Sequence, residues 1–424
     1  MDAISQRLRA RHPQKIDLSL ERMRRLCAAL GDPQNRLPPV IHVAGTNGKG
    51  STVALIRAIA EAAGLRVHAY TSPHLVRFNE RIRLAGRLIN DATLNAVLDR
   101  VEAVAGEATV FESTTAAAFV AMAETPADLA IIEVGLGGTL DATNVIERPL
   151  LSVITPVDLD HAEFLGTDLA AIAREKAGVL KPGAPAVIAR QSEAAMIEIE
   201  RAASNVQARL AVMGVDFDAW AERGGVAFQN GECFLDLPAS ALAGAHQIDN
   251  AGVAIAAALE LDLPEAAIVQ GLQAVRWPAR LQRLTAGPYA EAARDADAEL
   301  WLDGGHNPHA ARALAAFLAE RQARAPRPLA LICGMLGNKD AGGFFEALRA
   351  TGAAVFTVGF DGAAADPQAL AAVARGHGLA ATPAGSVTQA LDMALRFGAG
   401  RVVICGSLYL AGEVLGASSE TWPT

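Results

Sequence analysis

The chain has 424 residues, beyond the size at which one core usually stops growing, so two domains are expected. Hydrophobic residues make up 51% and charged residues 20%, a balance that excludes general disorder. Lys plus Arg total 37 against 46 Asp plus Glu, a formal charge of −9, so neither nucleic acid nor an anionic membrane is an expected partner and any anionic substrate needs a local cationic pocket.

The start, Met1 to Arg11, is polar and does not read as a signal peptide. Val40 to Ala44 is an apolar run closed by glycine, and Ser51 to Ala63 has helical spacing at Leu55, Ile56 and Ile59. Leu129 to Val134, Leu150 to Thr155 and Ala186 to Ala189 read as buried strands, with a helix over Asp168 to Leu180 between the last two. Residues 205–237 suggest a small β insertion, and His246 to Leu261 a helix. Arg276 to Pro288 is irregular, with Pro278, Gly287 and Pro288, and is expected to be the hinge. Strands then follow at Leu300 to Asp303, Leu329 to Cys333, Val355 to Val358 and Val402 to Cys405. Helices at Pro308 to Arg321, 341–350, 366–376 and 387–397 separate them. The expected fold is α/β in two domains. Residues 1–276 form a P-loop ATPase-like domain with a mainly parallel sheet, 277–288 the hinge, and 289–424 a smaller Rossmann-like domain.

No window offers 18 continuous apolar residues. Cys27, Cys233, Cys333 and Cys405 are far apart and lack C-x-x-C spacing, so a reducing compartment and a cytoplasmic location are expected.

The strongest chemical signal is Val40-Ile41-His42-Val43-Ala44-Gly45-Thr46-Asn47-Gly48-Lys49-Gly50-Ser51. A buried strand runs into a glycine-rich turn and a helix follows at once. Backbone N–H groups in such a turn point at an anion, and the helix N-terminus adds partial positive charge. Lys49 is placed to meet the β- and γ-phosphates. The loop departs from the usual pattern: Val43 stands where the first glycine belongs, and Gly50 where a metal-binding Ser or Thr is expected. A magnesium ion bridging the phosphates must then take its hydroxyl ligand elsewhere.

Gly-Thr-Asn-Gly-Lys-Gly-Ser resembles the phosphate loop of the folylpolyglutamate synthase and dihydrofolate synthase family, relatives of the Mur ligases. The resemblance continues through Leu20-Glu21-Arg22-Met23, Arg36-Leu37-Pro38, Thr71-Ser72-Pro73-His74-Leu75 and Arg77-Phe78-Asn79-Glu80-Arg81-Ile82. Glu133-Val134-Gly135-Leu136-Gly137-Gly138, Leu140-Asp141-Ala142-Thr143-Asn144, Asp160-His161 and Arg174-Glu175-Lys176-Ala177-Gly178 follow. The later part supplies His246-Gln247, Asn250-Ala251, Trp277-Pro278 and Asp303-Gly304-Gly305-His306-Asn307-Pro308. Three positions depart from the family: Thr139 where it usually has Arg, Ala279 where it usually has Gly, and Gly305 where it usually has Ala.

Read alone, Glu133 is a strand-end acid that suits Mg²⁺ or simply faces solvent, and His161 reads as a structural hydrogen-bonding group. Lys176 reads as a solvated helix lysine. The resemblance makes Ser72 and Glu133 ligands of an ATP-bound Mg²⁺, His161 a ligand of a second, and Lys176 a carbamylated residue whose reversed charge places it among the metal ligands too. Arg77, Arg81, Arg83 and Arg87 form either a local anion trap or a solvated charge run. The resemblance puts Arg77 and Arg81 in the folate loop, with Thr109, Phe111, Asp141 and Ala142 around the pterin, although core packing suits Phe111 equally. Asn250 has the amide to read adenine, and Arg280 at the hinge can reach phosphate. Asp303 and His306 follow a strand of the second domain, and the resemblance assigns them to ATP and the incoming glutamate. Ser407 is a further glutamate candidate; helix capping is the alternative for Asp303 and Ser407.

The resemblance implies an ATP-dependent ligase with its active site between two domains, joining L-glutamate to dihydropteroate and to reduced folates through an acyl phosphate. Chain extension of folates without dihydrofolate synthesis is the alternative. A Mur-type cell-wall ligase and a nucleotide switch are further rivals. Lys49, His161, Lys176, Asp303 and His306 are the catalytic candidates, two Mg²⁺ ions the cofactors, and a monomer the expected state.

Overall fold

The structure, a computed structural model, describes residues 3–11, 19–160 and 166–424. The chain forms two compact units, one of Asp2–Ala241 with Gln247–Arg276, the other of Leu242–His246 with Trp277–Pro423. His161 lies outside the described residues.

The larger unit is built on an eight-stranded sheet in the order β4-β3-β2-β5-β1-β6-β7-β8. Its strands are β1 (Val40–Ala44), β2 (Val67–Tyr70), β3 (Ile82–Leu84), β4 (Arg87–Leu88), β5 (Leu129–Glu133), β6 (Leu151–Ile154), β7 (Ala186–Ile188) and β8 (Leu210–Val212). All neighbours run parallel except β2 with β3 and β3 with β4. The mainly apolar strands β1, β5 and β6 are buried on every residue, as strands covered by helices on both faces must be. The expected strands here are present within a residue or two of their predicted ends. The helix expected from Ser51 starts at Lys49, because Gly48, at φ +84°, is already its N-cap. The helix expected over Asp168 to Leu180 is Leu169–Ala177, with the Asp168 side chain accepting from Ala170 N.

The expected β insertion divides in two. β8 joins the edge of the large sheet, while β9 (Phe217–Glu222), β10 (Gly225–Asn230) and β11 (Phe234–Leu237) make a separate antiparallel sheet. Sequence periodicity missed β2 and the β3–β4 hairpin, which are too short to show a pattern. It also missed the helices Leu20–Ala29, Asp91–Glu102, Val110–Glu124, Glu193–Val206 and Glu265–Ala274.

The smaller unit has a six-stranded sheet, β12-β13-β17-β14-β15-β16. Its strands are β12 (Gln282–Arg283), β13 (Glu299–Leu302), β14 (Leu329–Cys333), β15 (Ala354–Thr357), β16 (Ala381–Pro383) and β17 (Arg401–Cys405). Only β12 runs antiparallel to its neighbour. The segment 277–288 belongs to this unit: β12 pairs with β13, and a helix begins at Pro288. Leu242–His246 belongs to this unit too. No described helix is long and apolar enough to cross a membrane, and all four cysteines are free.

Arg401 is the largest fully buried side chain of the molecule. Its guanidinium donates to Glu299 Oε2 at 3.0 Å, Gln322 Oε1 at 2.8 Å and Ala325 O at 3.1 Å, tying the starts of β13 and β17 to the end of the helix Pro308–Arg324. Burial works against the charge on Glu299, but Arg401, Trp301 and Arg321 outweigh it and hold the carboxyl at about 2. Replacing Arg401 by Leu leaves Glu299 without its buried partner and is expected to destabilise this unit by roughly 3–5 kcal/mol, measured by urea unfolding. The depressed carboxyl adds stability that is full above the ordinary glutamate range and fades as pH falls through about 2. Glu299→Gln should flatten that acid dependence.

Candidate active site

Three adjacent parallel strands, β5, β1 and β6, bring distant sequence to one sheet edge. Val43 lies in register with Glu133 and Ala44 with Ile154, so the phosphate loop, Glu133 and Thr155 emerge side by side. Gly45, at φ +139°, has no room for a Cβ, which would strike Thr155 Oγ1. Gly48 is equally constrained: a Cβ there would lie 2.5 Å from Asn250 Oδ1. Asn250 in turn donates to Gln247, and Gln247 donates to Ser51, so the helix start at His246 is fastened to the phosphate loop from Gln247 onward.

Gly45, Thr46, Lys49, Val134, Gly135, Leu136, Gly137, Asp160 and Lys176 line one pocket. Lys49 Nζ donates to Gly45 O at 3.1 Å and to Thr46 O at 3.3 Å. Lys176 Nζ donates to the same Gly45 O at 2.9 Å. Lys176 is therefore no solvated helix lysine: it is 5% exposed and turned inward. Burial, reinforced by Lys49, lowers it to about 7. The loop is pinned from the β6 side as well. Thr46 N and Asn47 N donate to Pro156 O, and Thr46 Oγ1 exchanges hydrogen bonds with Asp158.

Glu133 is buried and accepts from Ser72 N at 3.1 Å, so two residues proposed from sequence for one metal do adjoin. Among the described residues no three His, Cys, Asp or Glu side chains gather as a metal cluster. Arg77 and Arg81 flank the short helix Phe78–Arg81, and Arg81 donates to His74 and lies over the Phe78 ring. Arg83 departs from the expected anion trap: it turns back onto Gly86 O in its own hairpin, and burial lowers it to about 10.

Thr109 is the N-cap of the helix Val110–Glu124, in a reciprocal box with Glu112. The Phe111 ring packs on Gly135, leaving no space for a Cβ there, and lies 6.2 Å from the Tyr70 ring. Asp141 accepts from Gly135 N, Leu136 N, Thr143 N and Thr143 Oγ1, which fills a carboxylate's four acceptor positions. Ala142 beside it is buried.

In the smaller unit Asp303 follows β13 directly and is buried. Its Oδ2 accepts from Leu281 N at 2.9 Å and its Oδ1 from Gly305 N at 2.8 Å. His306 Nδ1 donates to Gly304 O, and Arg280 to Ala279 O. His246, grouped with Asn250 on sequence grounds, sits within electrostatic reach of Asp303 and Arg280; burial is the main force lowering it. Ser407 follows β17 and is the N-cap of the helix Leu408–Gly416, accepting from Tyr409 N.

Comparison with known proteins gives this geometry a lineage. Residues 43–258 match the Mur ligase middle domain and residues 290–408 the Mur ligase glutamate ligase domain. The dihydrofolate synthase/folylpolyglutamate synthase of Bacillus subtilis is 37% identical over 364 residues, 81% of each chain. The chain belongs to the folylpolyglutamate synthase/dihydrofolate synthase family. The Escherichia coli member solved in complex with DHPP and ADP superposes with a TM-score of 0.84 at 32% identity, covering 96% of this chain and 95% of that one. A bifunctional member with Mn, AMPPNP and L-glutamate bound gives 0.83 at 34% identity, with 95% of each chain covered.

The three departures from the family pattern have definite local settings. Thr139 donates through N and Oγ1 to Glu175 O at 2.8 and 3.1 Å, fastening its turn to the helix that carries Lys176. At Gly305 a Cβ would come within 2.7 Å of Asp303 Oδ1, so the alanine usual in the family would press on that carboxylate. Ala279 is fully buried at φ +54°, a left-handed conformation in which glycine carries no penalty. Ala279→Gly is expected to raise stability by about 1 kcal/mol, read as a shift in urea midpoint at constant slope.

Proposed function

We propose that this synthase joins L-glutamate to dihydropteroate and to reduced folates at the expense of ATP. The observation that carries the reading is the pair of lysines, Lys49 and Lys176, converging on Gly45 O in a glycine-lined pocket. It is supported by relatives that carry both synthase names.

A carboxylate is a poor acyl donor because it has no good leaving group. Transfer of the γ-phosphoryl group of ATP to the acceptor's carboxylate breaks the β–γ bond, releases ADP and forms an acyl phosphate. The amine of glutamate then attacks the acyl carbon, phosphate leaves, an N–H proton passes to solvent and an amide remains. Both partners are anions, so charge neutralisation and positioning carry most of the rate. Lys49 is assigned to the transferring phosphoryl group, with Thr46, Asn47, Gly48, Gly50 and Ser51 around the phosphates, Asn250 to adenine, and Arg280 and Asp303 to the nucleotide. His306 and Ser407 are assigned to glutamate. Arg77 and Arg81 are assigned to the acidic tail of a folate, and Thr109, Phe111, Asp141 and Ala142 to the pterin. For Asp141 that contact competes with the four hydrogen bonds it already accepts.

Ser72, Glu133 and His161 are the residues proposed to hold magnesium, one ion or two. The buried Glu133 carboxylate beside the phosphate loop is the donor a hard, oxygen-seeking cation takes. Bound there, magnesium supplies further neutralisation of the phosphates. Carbamylation of Lys176 fits the same place. An amine lowered to about 7 is substantially neutral at physiological pH, and a neutral amine adds carbon dioxide, losing one proton to give a carbamate anion. A cytoplasmic location suits four free cysteines.

Lys176→Ala should lose activity, and short carboxylic acids should restore part of it. In the wild type, activity should fall as pH drops below about 7, where the protonated amine no longer takes up carbon dioxide, and added bicarbonate should shift that limb. A bicarbonate-independent profile, with no rescue of the variant, returns Lys176 to a purely structural role.

Substrate range tests the function itself. ATP-dependent glutamate ligation is expected with dihydropteroate and, separately, with a reduced folate. Ligation to the folate alone, without competition from dihydropteroate, leaves chain extension as the activity. Ligation to neither acceptor removes the reading.

A further inference from the structure

His42 is buried in the middle of β1, three residues before Gly45, and has no part in the chemistry described so far. Its Nε2 lies 2.8 Å from Thr143 Oγ1. Thr143 Oγ1 donates its one proton to Asp141 Oδ1 at 2.5 Å, so toward His42 it can only accept. His42 is therefore the neutral Nε2–H tautomer. Burial, with Lys181 a lesser influence, pulls the ring down to about 3, and its Nδ1 has no partner. The remaining acceptor positions of Asp141 are taken by Thr143 N at 2.9 Å, Gly135 N at 3.1 Å and Leu136 N at 2.9 Å.

The bonds converge on Asp141: His42 donates to Thr143 and Thr143 to one carboxylate oxygen, while Gly135 N and Leu136 N donate to the other. Those two residues line the same pocket as Gly45, Thr46 and Lys49. The far side of the same turn is held by the Phe111 ring against Gly135. One wall of the pocket thus grows directly out of β1, and the other is hung from β1 through side chains. We infer that His42 and Thr143 are positioning residues for the nucleotide, setting the separation of the two walls through Asp141. The inference rests on the ligase reading of the pocket and adds to it residues that touch no substrate.

The test is binding of Mg-ADP by calorimetry, with no acceptor present. Wild type that fails to bind removes the ligase reading itself. Given wild-type binding, Thr143→Val, which keeps shape but loses the hydroxyl, is expected to weaken ADP about tenfold, while Thr143→Ser stays within about twofold of wild type. His42→Gln, which can still present an N–H at the same reach, should bind more tightly than His42→Leu. The double variant His42→Leu/Thr143→Val should bind no more weakly than Thr143→Val alone, because both cut one chain. In steady state, KM for ATP should rise while KM for glutamate stays unchanged. Folded Thr143→Val with wild-type affinity overturns the inference, as do multiplying effects in the double variant or equal rises in both KM values. If Thr143→Val does not fold, the comparison of His42→Gln with His42→Leu decides by the same readout.

Discussion

Two lysine amines reach for one carbonyl oxygen, that of Gly45, in a chain whose overall charge is −9. A buried pocket does not hold two ammonium groups side by side at low cost, and burial together with Lys49 pushes Lys176 toward its neutral form. The surrounding structure supplies what that arrangement requires. β1 delivers the carbonyl, and Thr155 denies Gly45 any side chain. Thr139 grips Glu175 O, one residue from Lys176, and so fixes the end of the helix that brings the second lysine in. Lys49 and the inward-facing N–H groups of the loop then supply the local positive potential that an incoming phosphate meets in an otherwise acidic protein.

The first lysine was plain in the sequence and the second was not. Lys49 announces itself because glycines, strand and helix stand within a dozen residues of it. Lys176 carries no such local mark, since its environment is made by β1, a hundred and more residues earlier. Composition and periodicity on their own make it a surface residue; only the family resemblance drew it inward. The same division runs through the fold. The apolar strands that were read could be placed to within a residue or two, whereas β2, β3, β4, β16 and five helices of the larger unit went unread.

Polar residues follow a related rule. Ser407 and Thr109 could be read from sequence as ligand contacts, and each is also the cap of the helix behind it. Ser407 caps in the turn from β17 to its helix, at the carboxyl edge of a parallel sheet where ligand contacts also fall, whereas Thr109 follows the helix Asp91–Glu102. His42 and Thr143 stand within the phosphate-loop and Leu140–Asn144 motifs, yet nothing in the sequence singles them out. A histidine inside an apolar strand has no sequence signal for its partner, and Thr143 is one of several small polar residues in its turn. Their connection became visible only as hydrogen bonds with a definite direction.

The strand order has a consequence for how copies of this chain meet. The large sheet ends in β4, two residues long, and β8, three residues long; the small one ends in β12, of two, and β16, of three. An incoming strand would find only one or two backbone groups to pair with at any border. At β16 the last of these is Pro383, which has no N–H to offer. Edge-to-edge growth, the commonest route by which exposed sheets aggregate, finds little to pair with at these four borders. The antiparallel sheet keeps longer ones, β9 of six residues and β11 of four, so any strand-to-strand association between copies is steered there and away from the two sheets that carry the site.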